Sequence, residues 1–97
     1  MADSAAFDRA CELLTQHTTL SEIEARGTMR LALKAVGQNA KTAGKTEMML
    51  AVRKALEPEL AARSVTDAAS VCRKLLDGLA TLDVREQSPY EIFSRLG

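Results

Sequence analysis

Residues 21–37 read SEIEARGTMRLALKAVG, a stretch that contains the signals for both ends of a helix. Ser21 followed three positions later by Glu24 is a capping box, in which each side chain accepts a hydrogen bond from the other residue's backbone N–H. Gly37 tolerates the left-handed conformation in which helices commonly end. The stretch therefore predicts a helix over residues 22–36.

Three strips of side chains run along this predicted helix when successive residues are placed about 100° apart. The first apolar strip consists of Ala25, Met29, Ala32, Leu33 and Val36. The second apolar strip adjoins it and consists of Ile23, Gly27, Leu31 and Ala35. The basic strip consists of Arg26, Arg30 and Lys34. We expect both apolar strips to be buried, which leaves the basic strip as the exposed face.

Helical signals recur along the rest of the chain. The apolar periodicity predicts further helices over residues 4–17, 47–56, 67–81 and 89–96. The candidate N-caps of the first three are Asp3 or Ser4, Thr46 and Thr66. Pro58 cannot donate a backbone hydrogen bond, so we expect the third helix of the chain to kink or stop near Leu56. A short turn then follows through Arg63.

The composition agrees with an all-helical protein. The 97-residue chain has 16 alanines and 13 leucines but three aromatic residues, which favours helix over sheet. We predict one all-α domain over residues 1–97, with four principal helices in a small bundle and a short fifth helix at the C-terminus. Leu75 lies at the centre of the longest apolar stripe and is expected to be buried.

Few residues of the chain suit catalysis or metal binding. Cys11 and Cys72 are the two cysteines, and without a secretory signal they are expected to be reduced core residues rather than a disulfide. His17 is the single histidine, so a zinc site would need both cysteines and a distant carboxylate to converge on it. We therefore expect no metal, no cofactor and no enzymatic activity.

The formal net charge is zero, but the charges are unevenly distributed. Residues 1–25 carry a net charge of −4, residues 26–54 of +6 and residues 55–97 of −2. The basic strip lies in the positive segment, where it suits DNA or an acidic protein surface. The other interpretation is a solvated face that the acidic N-terminal segment of the same molecule balances. The scarcity of nearby aromatic residues argues against single-stranded nucleic acid.

No run of 18 apolar residues occurs, and the N-terminus lacks the basic and apolar segments of a signal peptide. We therefore expect a cytoplasmic protein without a membrane partner.

The last predicted helix is a candidate protein contact. Ser88 and Glu91 have the spacing of a second capping box. The large side chains of this segment are Tyr90, Ile92, Phe93 and Leu96. A helix of about eight residues does not persist alone in water, so these side chains must pack on the same bundle or on another chain.

These features favour a non-enzymatic protein–protein interaction or regulatory adaptor module that acts through apolar helix faces. Its expected partner is another protein or, in a homodimer, a second copy of the chain. The alternative is a DNA-associated regulatory protein that uses the basic strip, and nucleic acid is the less favoured partner.

Overall fold

The computed structural model describes residues 3–82, and these residues are all-helical, as predicted. The elements are α1 (Ala5–His17), α2 (Glu22–Ala35), α3 (Lys45–Ala51), a π turn (Val52–Leu56), α4 (Glu57–Ala62) and α5 (Ala68–Ala80). Because α3, the π turn and α4 follow one another without a break, the described chain forms the four principal helical rods that the sequence predicts. The predicted fifth helix over residues 89–96 lies outside the described residues.

The third rod is disturbed near Leu56, where a kink or stop is predicted, and a short helix follows as far as Ala62. Pro58 has no N–H to offer the carbonyl of Lys54, and its ring crowds that carbonyl in a regular α-helix. The wider π turn lies immediately before it, and Pro58 stands in the first turn of α4, where its N–H is not needed. The chain therefore stays helical to Ala62.

The predicted N-caps of α1 and α2 are confirmed. Phe7 N donates to Ser4 Oγ at 3.1 Å, and the Ser4 hydroxyl donates to Ala43 O at 2.6 Å. Glu24 N donates to Ser21 Oγ at 3.2 Å, and Ser21 N donates to Glu24 Oε1 at 2.9 Å. The bonds from Ser21 hold the pKa of the Glu24 carboxyl below its usual value. The start of α1 is thus tied to the loop before α3, and α2 begins where the capping box places it.

The predicted N-caps of α3 and α5 are wrong. Gly44, rather than Thr46, precedes α3, and its N–H donates to Glu47 Oε1 at 3.0 Å. Because the glutamate satisfies this end of the helix, no threonine hydroxyl is needed there. Asp67, rather than Thr66, precedes α5 and has a left-handed backbone with a φ of 59°.

The end of α2 is a Schellman motif at Gly37, as the sequence indicates. Gly37 has a φ of 76°, and its N–H donates to Lys34 O at 3.0 Å. Gln38 N donates to Leu33 O at 2.8 Å, which completes the motif.

The core lies between the four rods. Helix α1 packs against α2 and α5, and the π turn packs against the same two helices. The fully buried large apolar side chains include Phe7, Leu14, Met29, Leu33, Met48, Leu56, Leu60, Leu75 and Leu79. The predicted burial of Leu75 is therefore confirmed. Gly78 lets α5 approach α1 closely, because a Cβ at this position would lie 2.6 Å from Leu13 Cδ1.

The two apolar strips of α2 have different surroundings. Four of the five residues of the first strip are buried, with Met29 at 0% and Leu33 at 1% exposure, and Val36 is partly buried. The predicted burial of the second strip is wrong, because Ile23 is 84% and Leu31 45% exposed. The rods that contact α2 (α1, α3 with its π turn, and α4) pack on one side of it. In so small a bundle, the opposite side of this surface helix is left uncovered by the described residues.

Candidate interaction surfaces

Two members of the basic strip are bound by acidic residues of the same chain. Arg26 Nη2 lies 2.9 Å from Asp3 Oδ2 and 2.8 Å from Asp8 Oδ1. Arg30 Nη2 lies 2.7 Å from the same oxygen of Asp3, whose side chain is only 9% exposed. Lys34, the third member, forms no ion pair among residues 3–82. The acidic N-terminal segment therefore balances two of the three charges of the strip.

The two arginines also cover an aromatic ring of the core. The guanidinium carbons of Arg26 and Arg30 lie 5.2 and 5.1 Å from the ring centroid of Phe7, which is fully buried. Each such cation–π contact contributes about 0.5–2 kcal/mol, depending on its exposure to water. The hydrogen bonds with Asp8 and Asp3 raise the pKa of Arg26 further above its usual value. Both arginines thus contribute to folding, whatever else they bind.

Both cysteines are buried and neither forms a disulfide, which confirms their predicted place in the core. Burial raises the pKa of the Cys11 thiol to about 12, although the positive charge of Arg26 opposes this change. Burial raises the pKa of Cys72 to about 11, and the carboxylate of Glu57 adds to the effect. Both thiols are therefore protonated at neutral pH, whereas nucleophilic attack and metal binding require the thiolate.

The single histidine is exposed at the end of α1. His17 occupies the last turn of that helix, where a positive charge is favourable because of the helix dipole. Within residues 3–82, no three side chains of the types His, Cys, Asp and Glu converge in a way that could hold a metal ion. None of the helices in the same range combines the length and the hydropathy that a membrane-spanning helix needs.

The second apolar strip of α2 is the most unusual surface of the described chain. Ile23 and Leu31 are the two large hydrophobic side chains that are exposed within residues 3–82, and both belong to this strip. The backbone of Gly27 lies between them, and Ala35 extends the strip at its far end, both exposed. The sequence identified these residues as apolar but assigned them to the core, because periodicity does not show which apolar face another rod covers.

Gly27 has no evident role in the packing of its own chain. A Cβ placed on it would meet no atom within 4 Å. Glycine in a helix interior is about 1 kcal/mol less favourable than alanine, because it loses more backbone entropy on folding. The described structure therefore carries a helix-weakening residue at the centre of an exposed apolar strip and contains nothing that requires it.

The predicted contact residues of the C-terminal segment, Tyr90, Ile92, Phe93 and Leu96, lie outside the described residues. No protein-family model matches the chain, and comparisons with curated proteins and with solved structures give no significant match. A function has therefore to be inferred from the side-chain arrangement itself.

Proposed function

We infer that this chain is a non-enzymatic protein–protein interaction module and that the second apolar strip of α2 is its contact surface. The observation that carries this proposal is the exposure of Ile23 and Leu31 on one face of a helix whose opposite face is core. The proposal agrees with the interaction or adaptor role that the sequence favours.

The arrangement of the strip suits recognition by another protein. Single exposed leucines are common on protein surfaces and need no explanation. Here, however, the two exposed side chains lie on one face of a single helix, about 80° apart around its axis and about two turns apart along it. An apolar helix face of this kind is the element that docks into a partner's groove. Complete burial of one large aliphatic side chain contributes about 1.5–3 kcal/mol, so Ile23 alone could supply a substantial part of a binding free energy.

Nucleic-acid binding through Arg26, Arg30 and Lys34 stays the alternative. A phosphate at the first two positions would have to compete with Asp3 and Asp8 for the same guanidinium groups. A gel shift with duplex DNA at two salt concentrations tests this alternative, because binding through the strip would weaken steeply as salt increases.

The C-terminal segment stays a second predicted contact, with Tyr90 and Phe93 as aromatic anchors. Deletion of residues 88–97 distinguishes whether the segment packs on its own bundle or on another chain. If the segment packs on its own bundle, thermal stability will fall at every protein concentration. If it packs on another chain, the deletion will dissociate the oligomer or complex.

Site-specific photocrosslinking tests the proposed contact surface. A photoreactive amino acid replaces Ile23 in the full chain, and a control protein carries it at Ala69, which is exposed on α5. We expect discrete crosslinked products from position 23 in cell extract, and we expect Leu31→Glu in the same protein to remove them. Equal crosslinking from both positions, or none from position 23, would contradict the proposal.

A further inference from the structure

We propose that the partner of the second apolar strip is a second copy of this chain, with the two α2 helices packed antiparallel about a two-fold axis at Gly27. This inference rests on the proposed function, because it names the partner for the same surface. Three features of α2 support it: the symmetry of the strip, the glycine at its centre and the distribution of charge along the helix.

The part of the strip from Ile23 to Leu31 is symmetric about Gly27 in the size of its side chains. Ile23 lies four residues before Gly27 and Leu31 four residues after it. An antiparallel two-fold pairing therefore places Ile23 of one copy at the level of Leu31 of the other, and Gly27 opposite Gly27. The two large side chains lie on opposite sides of the line through Gly27, about 40° away on each side, so they pass beside each other.

The spacing of the strip also has a known packing geometry. Residues four apart form a ridge on a helix surface, and two such ridges interdigitate when the helices cross at about 50°. The point of crossing is where the backbones come closest. At that point this chain has Gly27, where a Cβ would meet no atom of its own chain. Absence of a side chain there lets a second backbone approach, whereas alanine would hold the two helices apart.

The charges along α2 favour the antiparallel direction. Glu22 lies in the first turn of the helix and Lys34 in the last, both exposed, and neither forms an ion pair among residues 3–82. In the antiparallel pair, Glu22 of one copy and Lys34 of the other differ in level by about two residues' rise along the helix axis. The attraction therefore acts between the acidic end of each helix and the basic end of its partner, beside the contact face rather than across it. A parallel pair would instead bring like charges together. The zero net charge of the chain adds no overall repulsion between copies.

The first test measures the molar mass of the purified full chain by analytical ultracentrifugation. An interface made by one helix per copy is smaller than the standard size, so we expect dimers at concentrations on the order of 100 µM and dissociation on dilution. We expect Leu31→Glu to be monomeric throughout this range. The control Ala69→Glu places the same charge on an exposed position of α5 and should remain dimeric.

Charge exchange tests the direction of the helices. Glu22→Lys and Lys34→Glu should each weaken the dimer by about twofold to fivefold, since each replaces opposite charges at neighbouring levels of the two helices with like charges. The double variant Glu22→Lys/Lys34→Glu should restore the wild-type dissociation constant. Failure of the double variant to restore dimerisation would overturn the antiparallel arrangement.

Two further variants distinguish the occupants of the strip. Gly27→Ala should weaken the dimer at least tenfold while raising the melting temperature of the monomer. Deletion of residues 88–97 should leave the dimer intact, and a monomeric truncated chain would assign the dimer contact to the C-terminal segment instead.

The outcomes for this inference and for the proposed function can be told apart. A wild-type chain that is monomeric at these concentrations overturns the second copy as partner. Crosslinks from position 23 to a different protein would still support the interaction module. A monomeric chain without any crosslink from position 23 overturns both.

Discussion

The two apolar strips of α2 have similar composition and opposite surroundings. Leu33 in the first strip is 1% exposed, whereas Leu31 in the second is 45% exposed. The two leucines belong to the same helix, so helix propensity cannot account for the difference. What differs is whether another rod of the same chain packs on them. An apolar helix face therefore indicates a surface whose burial is favourable. It does not indicate whether the same chain or another molecule buries it.

The largest expected effect in this comparison is on folding stability. Leu33→Ala should lower the free energy of unfolding by about 2–5 kcal/mol, because it leaves a cavity in the core. Leu31→Ala should change it by less than about 0.5 kcal/mol, since an exposed side chain leaves no cavity. Urea unfolding at low protein concentration, where a dimer does not contribute, measures both values. Leu75→Ala is a second core variant and should resemble Leu33→Ala; equal losses for Leu31 and Leu33 would show that the strips are misassigned.

Because Cys11 is buried in the core, the stability of the protein should depend on pH at this residue. Its folded pKa of about 12 lies above the reference value of 9.0, so the unfolded chain loses the thiol proton first as the pH rises. The contribution of Cys11 to the free energy of unfolding should therefore be fully present below pH 9 and be lost between pH 9 and 12. The loss should be about 1.4 kcal/mol for each pH unit above 9.

The measurement is the pH slope of unfolding free energy in the wild type and in Cys11→Ala. Cys11→Ala should be less stable at neutral pH because of the smaller side chain, but its slope above pH 9 should be shallower. Identical slopes in the two proteins would mean that Cys11 is hydrated in the folded state.

The basic strip contains both an ion-paired residue, Arg26, and a residue without an ion pair among residues 3–82, Lys34, so their contributions to stability can be compared. Arg26→Ala should cost about 1–2 kcal/mol, because it removes bonds to Asp3 and Asp8 and uncovers the ring of Phe7. Lys34→Ala, which breaks no ion pair among residues 3–82, should change stability by less than about 0.5 kcal/mol. Thermal unfolding of both variants at low and high salt checks this, and the cost of Arg26→Ala should shrink as salt screens its ion pairs.

The features of α2 that could be predicted from sequence are those with local signals. Ser21, Glu24 and Gly37 lie within one turn of the helix ends that they define, so their spacing is sufficient to place those ends. At α3 and α5 the hydroxyl side chains of Thr46 and Thr66 indicate N-caps that the structure does not have. The caps are Gly44 and Asp67, because a capping glutamate and a left-handed turn replace the hydroxyl there.

The features that could not be predicted depend on which rods meet. The negative charge of the N-terminal segment suggested that it balances the basic strip, but no local pattern links Arg26 to Asp3, 23 residues away, or places both arginines over Phe7. The matching spacings, four residues from Asp3 to Phe7 and four from Arg26 to Arg30, are compatible with this contact but do not by themselves predict it. Likewise, Pro58 indicates that a regular α-helix is interrupted near residue 56, but it does not show that the interruption is a π turn.

The packing of α5 on α1 determines when this protein can finish folding during synthesis. Leu13 emerges from the ribosome long before its neighbour Gly78 has been added to the chain. At about 5–20 residues per second this interval lasts several seconds, whereas helical contacts form in far less than a second. The apolar face of α1 is therefore without α5 for most of translation, and in that window the nascent chain presents an amphipathic helix to any chaperone that holds such segments. The fold closes only when its last described helix arrives.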